Sequence, residues 1–291
     1  MTGDSLLQPQ FRAVIDGVTV DAFAHDDGVP IAGLTREDFV LRDNGVVQRI
    51  DAVGTTESAH VIVGLDVSYS VDGAALDQMR SAVRTVYGQL SHADRLSLLT
   101  FGNRVRILQR AVAPGRNLEP TLAAMVPSGS TVLHDALVAG TALARADSRP
   151  AVFLMLTDGQ DTGSWSTASA ALDAIRHGHV VVYPIGAGLP DVPMASVDSE
   201  YMRGRTWLAP QPADTLRLLR SVADISGGQF LRVGRGARLE RTFRSILAQY
   251  RQRYLITFAP SAHAPSGWHR LDVRLRNRAG TVVAREGYMA R

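Results

Sequence analysis

Three polar residues at spacings of two, Asp66, Ser68 and Ser70, follow an apolar run at 61–65 that is broken only by Gly64. A run this short reads as a strand buried on both faces, as in parallel sheets covered by helices. The end of such a strand projects into the crevice at the carboxyl edge of the sheet, where open α/β sheets bind ligands. One carboxylate and two hydroxyls there make a cluster of hard oxygen donors, suited to a divalent cation. Asp and Ser in this pattern also build turns and cap helices. The three residues alone therefore leave both readings open.

Two other stretches supply what a metal site still needs. Thr131 closes a Gly-Ser-Thr loop just ahead of a helical pattern, and Asp158 ends the apolar stretch AVFLMLTDG at 151–159. Parallel strands all finish on one side of a sheet, so three loops are expected to converge: Asp66, Ser68 and Ser70 from the first, Thr131 from the second, Asp158 from the third. The donors are all oxygens, with no His or Cys, which selects Mg²⁺, Mn²⁺ or Ca²⁺ over zinc or copper. Small side chains at a crowded edge favour the compact octahedral shell of Mg²⁺.

The elements that must carry these residues follow from periodicity. After Ser70, the residues Leu76, Met79, Val83, Val86 and Leu90 fall at helical spacing. Residues 94–101 read as a strand with a hairpin partner from 103, and 132–146 as a helix. Residues 151–157 form a strand and 168–177 a helix with Gly178 as its C-cap. An apolar strand over 180–185 precedes a polar, proline-containing loop at 189–211, of a length that often marks function. Helices over 213–225 and 239–250 flank a short strand at 229–233. Strands alternating with helices predict an α/β fold: a doubly wound, mostly parallel sheet with helices on both faces.

The flanks have a different texture. Asn44-Gly45 between Phe39-Val40-Leu41 and Val46-Val47 is a hairpin signal. Thr35 to Asp38 has the pattern of a capped helical turn. Near the other end Leu271, Val273 and Leu275 alternate with Asp272, Arg274 and Arg276, as in a one-sided antiparallel strand. The expectation is a small β unit formed from both chain ends. The division is an N-terminal β segment at 1–57, an α/β domain at 58–250, and β strands at 251–291 packing with the first segment.

Composition narrows the chemistry. The sequence has 291 residues and a net charge of +3, too small for its length to argue for nucleic acid. All 31 basic residues are Arg, so a P-loop lysine, a Schiff base and a Ser-Lys dyad are excluded. Cysteine is absent, which removes disulfides, thiolate catalysis and Cys-ligated zinc. No apolar run reaches the roughly 18 residues a membrane-spanning helix requires. The start, MTGDSLLQPQ, carries neither a basic leader nor an apolar stretch, so export would require a leader removed from this sequence.

The order D-x-S-x-S, then a loop threonine, then an apolar strand ending T-D-G resembles the von Willebrand factor type A domain. The five positions Asp66, Ser68, Ser70, Thr131 and Asp158 match its metal-ion-dependent adhesion site in full. Val67 and Tyr69 depart from the pattern, because small residues are commoner between the ligands. The flanks GLTREDFVLRDNGVVQRI and RYLITFAP resemble the ends of bacterial, often acidobacterial, proteins of this kind, which are mostly exported. The resemblance implies that the serines, with the threonine in some states, touch the metal and that the aspartates act largely through water. It implies a binding module: a cation with charge left over seeks a carboxylate from a protein partner. The rim facing that partner is expected to include Tyr69, Asp72, Ser130, Gln160 and Trp165, the last as an aromatic anchor. The periplasm or the exterior is the expected location.

Other classes fare worse. A metal-dependent hydrolase would need a general base, for which His134 and Asp135 are the candidates, although both sit where a helix starts. G-x-S-x-G is missing, and Gly186-Ala187-Gly188 lacks the third glycine of a dinucleotide fingerprint. A structural envelope protein with a non-essential metal site is a further alternative. The arginines 232, 235, 238, 241, 244, 251 and 253 read as a solvated face rather than a nucleic-acid surface, since no aromatics interleave them.

Overall fold

A computed structural model describes residues 17–71, 73–189, 212–234, 239–261 and 265–290. Asp72, most of the 189–211 loop, and Arg235 and Arg238 lie outside the described residues.

The first part of the chain is β1 (Val18–Asp26), β2 (Val29–Pro30), a 3-10 turn at Arg36–Asp38, β3 (Phe39–Asp43), β4 (Val46–Gln48) and β5 (Ile50–Thr55). The middle runs β6 (His60–Asp66), α1 (Gly73–Gly88), β7 (Arg95–Phe101), β8 (Val105–Val112), α2 (Glu119–Ala123), α3 (Leu133–Ala144), β9 (Ala151–Thr157), α4 (Ala168–His177), β10 (Val180–Ala187), α5 (Pro212–Ser226), β11 (Leu231–Val233) and α6 (Leu239–Tyr250). The chain ends with β12 (Tyr254–Phe258), β13 (Gly267–Leu275), β14 (Thr281–Ala284) and β15 (Gly287–Ala290).

The middle segment forms one mixed sheet in the order β11-β10-β9-β6-β7-β8. Five strands are parallel, and the edge strand β8 runs antiparallel to β7. The fold is thus α/β, with the sheet mixed at one edge because a tight hairpin, not a helix, follows β7. Strand β6 is buried at all seven positions, which explains why its sequence is apolar without alternation. Its odd-numbered side chains, Val61, Val63 and Leu65, pack with Leu76, Met79 and Val83 of α1 and Phe243 and Ile246 of α6. Ile62 packs on the opposite face with α3 (Leu133, Leu137), α4 (Ile175) and α5 (Leu219, Val222). Each side chain moved fully out of water in these layers contributes about 1.5–3 kcal/mol before chain entropy is subtracted.

The two chain ends build more than a single small β unit. They form two sheets, β14-β1-β12-β5 with β2 beside β1, and β15-β13-β3-β4. One core lies between them: Val20, Ala22, Ile256 and Phe258 from the first, Phe39, Leu41, Leu271 and Val273 from the second. This is a sandwich in which each sheet takes strands from both ends of the chain, with β1 pairing β12 and β3 pairing β13. The Asn44-Gly45 turn between β3 and β4 has both residues at positive φ, 47° and 84°, as a two-residue hairpin requires. Thr35 and Asp38 form the capping box the sequence suggests.

Gly178 is the C-cap of α4, as expected, with an extended backbone (φ −84°). Glycine is needed there for space, because a Cβ would meet Thr141 Cγ2 at 2.5 Å. The basic stretch at 232–253, by contrast, is not one solvated face. Arg241 and Arg244 are exposed, but Arg251 pairs with the buried Asp94 at 2.7 Å. Arg253, where α6 passes into β12, is buried at 2% exposure. Its Nε donates to Asp21 Oδ1, and its Nη2 donates to the carbonyls of Gly227 (2.8 Å), Asp21 (3.2 Å) and Val283 (3.3 Å). Burial pushes this guanidinium's pKa down, but the Asp21 carboxylate beside it more than compensates. One arginine thus ties the sandwich to the α/β layer. Nothing in the local pattern QYRQRYL at 249–255 distinguishes it from the exposed Arg241 and Arg244.

Candidate metal centre

The chain proceeds from β6 to β7 on one side of the sheet and returns to β9 on the other, so strand order reverses between β6 and β9. At such a switch point the loops after the two strands diverge and leave a crevice at the carboxyl edge. Asp66 is the last residue of β6, and Asp158 follows the last residue of β9.

Asp66 is fully buried. Its Oδ1 accepts from the Ser68 amide at 3.0 Å and its Oδ2 accepts from the Thr157 hydroxyl at 2.7 Å. Burial pushes its carboxyl up to about 6 against these hydrogen bonds, and the nearby Asp158 carboxylate pushes in the same direction. The hydroxyls of Ser68 and Ser70 are 2.9 Å apart, and Ser70 Oγ donates to Asp158 Oδ1 at 3.0 Å. A continuous line of oxygens therefore runs from the first loop to the third. Ser68 is buried, Ser70 exposed and Asp158 half-buried, so the line opens outward to solvent.

Thr131 arrives from the second loop. Its amide donates to Thr162 Oγ1 at 2.9 Å, and its carbonyl accepts from the Thr162 amide at 2.9 Å. A Cβ on Gly159 would lie 3.6 Å from the Thr131 hydroxyl, which places that hydroxyl beside the Asp158-Gly159 turn. The loops are stitched by backbone: the Ser128 amide donates to the Val67 carbonyl (2.6 Å), and the Tyr69 amide to the Gly129 carbonyl (3.1 Å). Gly102 allows this approach, since a Cβ there would sit 2.1 Å from the Ser128 carbonyl oxygen. All five predicted positions thus meet at one crevice. No cluster of three or more His, Cys, Asp or Glu exists among the described residues. The donors are hydroxyls and two carboxylates, which suits a hard cation that keeps part of its water shell.

Four of the five residues expected at a rim fall among the described residues. Trp165 is 97% and Tyr69 79% exposed, Ser130 is exposed, and Gln160 is half-buried. Asp72 lies outside the described residues. What the sequence did not reveal is how Trp165 is held. Asp135 accepts from the Trp165 amide (3.0 Å) and the Ser166 amide (2.8 Å). Burial pushes its carboxyl up, but these hydrogen bonds and the adjacent His134 outweigh it and hold it below the usual range. His134 Nδ1 lies 3.0 Å from the Ser166 carbonyl, and Asp161 accepts from the His134 amide at 3.2 Å and from the Ser164 hydroxyl. The two residues considered as a general base are therefore engaged in bracing the 161–166 loop. Thr157, Asp161 and Thr162, not expected from the sequence, also hydrogen-bond within this crevice, to Asp66, His134 and Thr131. Their proximity to Asp158 in the sequence was the available signal.

Comparison with known proteins identifies the fold that carries these residues. Residues 60–204 match the von Willebrand factor type A domain. Inter-alpha-trypsin inhibitor heavy chain H1 of Mesocricetus auratus is 25% identical over 150 residues, 46% of this chain, and the match spans only 16% of that relative's length. Among solved structures, a von Willebrand factor type A protein from Catenulispora acidiphila superposes with a TM-score of 0.54 at 14% identity, covering 88% of this chain and 75% of that one. Proximal thread matrix protein 1 from the mussel byssus gives 0.52 at 14% identity, covering 70% and 49%. At these identities the superpositions establish the fold.

Proposed function

Starting from the fact that residues 60–204 are a von Willebrand factor type A domain, we propose that the chain is a divalent-metal-dependent protein-binding module. Ser68, Ser70 and Thr131 would hold the cation through their hydroxyls, with Asp66 and Asp158 acting largely through water. Mg²⁺ is the preferred ion, and Mn²⁺ or Ca²⁺ can substitute. When bound, the cation offers a position that an anionic oxygen completes. The partner is a protein presenting an Asp or Glu carboxylate.

The observation that carries this reading is the unbroken line from Ser68 through Ser70 to Asp158, open to solvent at Ser70. Around it, the chain's own residues fix the approach. Thr157 orients Asp66 from below. Asp135 and Asp161 keep the 161–166 loop in one conformation, so the exposed Trp165 loses little freedom when a partner covers it. Tyr69 supplies a second exposed ring. Binding rather than turnover is favoured because Asp135 and His134, the groups positioned to act as a base, are already used within the loop.

We further propose that 58–250 acts as this module within the sandwich built from 1–57 and 251–291, and that the protein works outside the cytoplasm. Fractionation of the native cell that recovered it only in cytosol would contradict the latter.

Titration of the full chain with MgCl₂ and MnCl₂ in a calorimeter tests the core of the proposal. Saturable binding is expected, lost in a Ser68→Ala/Ser70→Ala variant. Equal affinity in the variant would overturn it. Capture of an acidic partner from the native source should then require Mg²⁺ and fail with EDTA.

A further inference from the structure

Away from the metal centre, a cavity of about 640 Å³ lies where the sandwich meets the α/β layer. Its walls come from both parts: Phe23 and His25 of β1, Tyr183 of β10, Arg220 of α5, Phe230 ahead of β11, and Arg253 after α6. Junctions of this kind are where ligand pockets concentrate.

The polar groups on these walls have unused capacity. Arg220 is half-buried and meets no hydrogen-bond or ion-pair partner among the described residues. Arg253 is buried at 2% exposure, and while its Nε and Nη2 are fully engaged, its Nη1 has a single long contact, 3.5 Å to the Tyr183 hydroxyl. Buried arginine N–H groups are normally satisfied, so Nη1, with one long contact beside the cavity, has donor capacity left. The Tyr183 side chain is 1% exposed and lines the same wall. Beside it the Tyr250 hydroxyl is buried next to Asp21 without hydrogen-bond geometry to it. Arg232, engaged through Nη2 with the Leu189 carbonyl at 2.7 Å, also lines the cavity, and Asp224 is the one carboxylate among its described lining residues. The remaining wall is flat and apolar: the Phe23 and His25 rings stack at 5.2 Å with 28° between planes, with Phe230 and Val283 nearby.

We propose that this junction cavity binds a small organic anion with a planar body, its acid group received by Arg220 and by the Arg253 Nη1 and Tyr183 hydroxyl, its flat part against His25 and Phe230. Guanidinium groups match carboxylate and phosphate equally in charge and spacing, so the acid group is defined by that shared chemistry. The site is separate from the metal centre and independent of the function proposed above.

The test uses the full chain in EDTA, so that the metal centre does not respond. Benzoate, phenyl phosphate, inorganic phosphate and benzyl alcohol are each titrated by calorimetry and by thermal shift. Benzoate, phenyl phosphate or both should bind saturably and raise the melting temperature, whichever does identifying the acid group; benzyl alcohol and inorganic phosphate should be at least about tenfold weaker, since each lacks one half of the recognition. Arg220→Glu, at a half-exposed helix position that leaves the fold intact, should weaken the bound probe by at least about tenfold. Phe230→Ala should weaken it while leaving inorganic phosphate unchanged. Absence of saturable binding by both aromatic anions, or equal binding in Arg220→Glu, overturns the proposal. Inorganic phosphate binding as tightly as the aromatic anions also overturns it.

Discussion

Two polar clusters in this molecule use similar groups to opposite ends. In the sandwich, Asp43 Oδ1 accepts from His269 Nδ1 at 2.7 Å and Oδ2 accepts from the Tyr288 hydroxyl at 2.8 Å. His269 Nε2 in turn donates to the Pro265 carbonyl at 2.7 Å. All three side chains are at most 5% exposed, and each polar atom is committed within the cluster. At the candidate metal centre, Asp66 is just as buried, but the line it begins ends at an exposed Ser70 and a half-buried Asp158. The closed cluster can only stabilise the fold. The open one has oxygens left to offer a ligand. Burial and hydrogen bonding alone do not mark a functional site; capacity left over at a solvent-facing crevice does.

That contrast can be broken or sharpened by substitution. The largest effect is expected where the two regions are joined. Arg253→Met leaves Asp21 without its partner and should cost about 3–5 kcal/mol in urea unfolding. A loss below about 1 kcal/mol would mean that the sandwich and the α/β layer do not depend on this pair.

Within the closed cluster, His269→Gln strands the Asp43 carboxylate and should cost about 1–3 kcal/mol, by the same amount with Mg²⁺ or with EDTA. A metal-dependent difference would erase the distinction between the clusters. The pH dependence has a definite sign. Burial pushes the His269 imidazole down, but the Pro265 carbonyl and the Asp43 carboxylate more than offset this and hold its pKa above the ordinary value. The stabilisation is therefore complete below the unfolded-state pKa of about 6.5 and is lost as pH rises through the folded-state value. The wild-type melting temperature should fall across that window by more than that of His269→Gln.

At the open cluster the order reverses. Ser70→Ala should change stability by no more than about 0.5–1 kcal/mol, yet weaken Mg²⁺ binding by at least about tenfold. The smallest stability effect is expected from Trp165→Ala, within about 0.5 kcal/mol, since the ring is 97% exposed. Its loss should appear instead as weaker capture of the acidic partner. Unchanged capture would remove Trp165 from the rim.

By itself the sequence determined what is local or strictly periodic. The apolar runs that became β6 and β9, the helical spacing of Leu76, Met79 and Val83, and the Asn44-Gly45 hairpin are read from neighbours within a few positions. The convergence of the five candidate donors was legible for the same reason: each sits near the end of a recognisable element, and parallel strands end on one side. What needed the tertiary structure are the pairings between residues far apart in the chain. Asp43 meets His269 and Tyr288, Asp21 meets Arg253, and Asp94 meets Arg251 only because β1 and β3 lie against the strands that follow α6 and because α6 packs beside α1. No periodicity announces such a contact, because the energy that selects it belongs to the burial of a charged group, and burial is a property of the assembled layers rather than of the residue's neighbours in sequence.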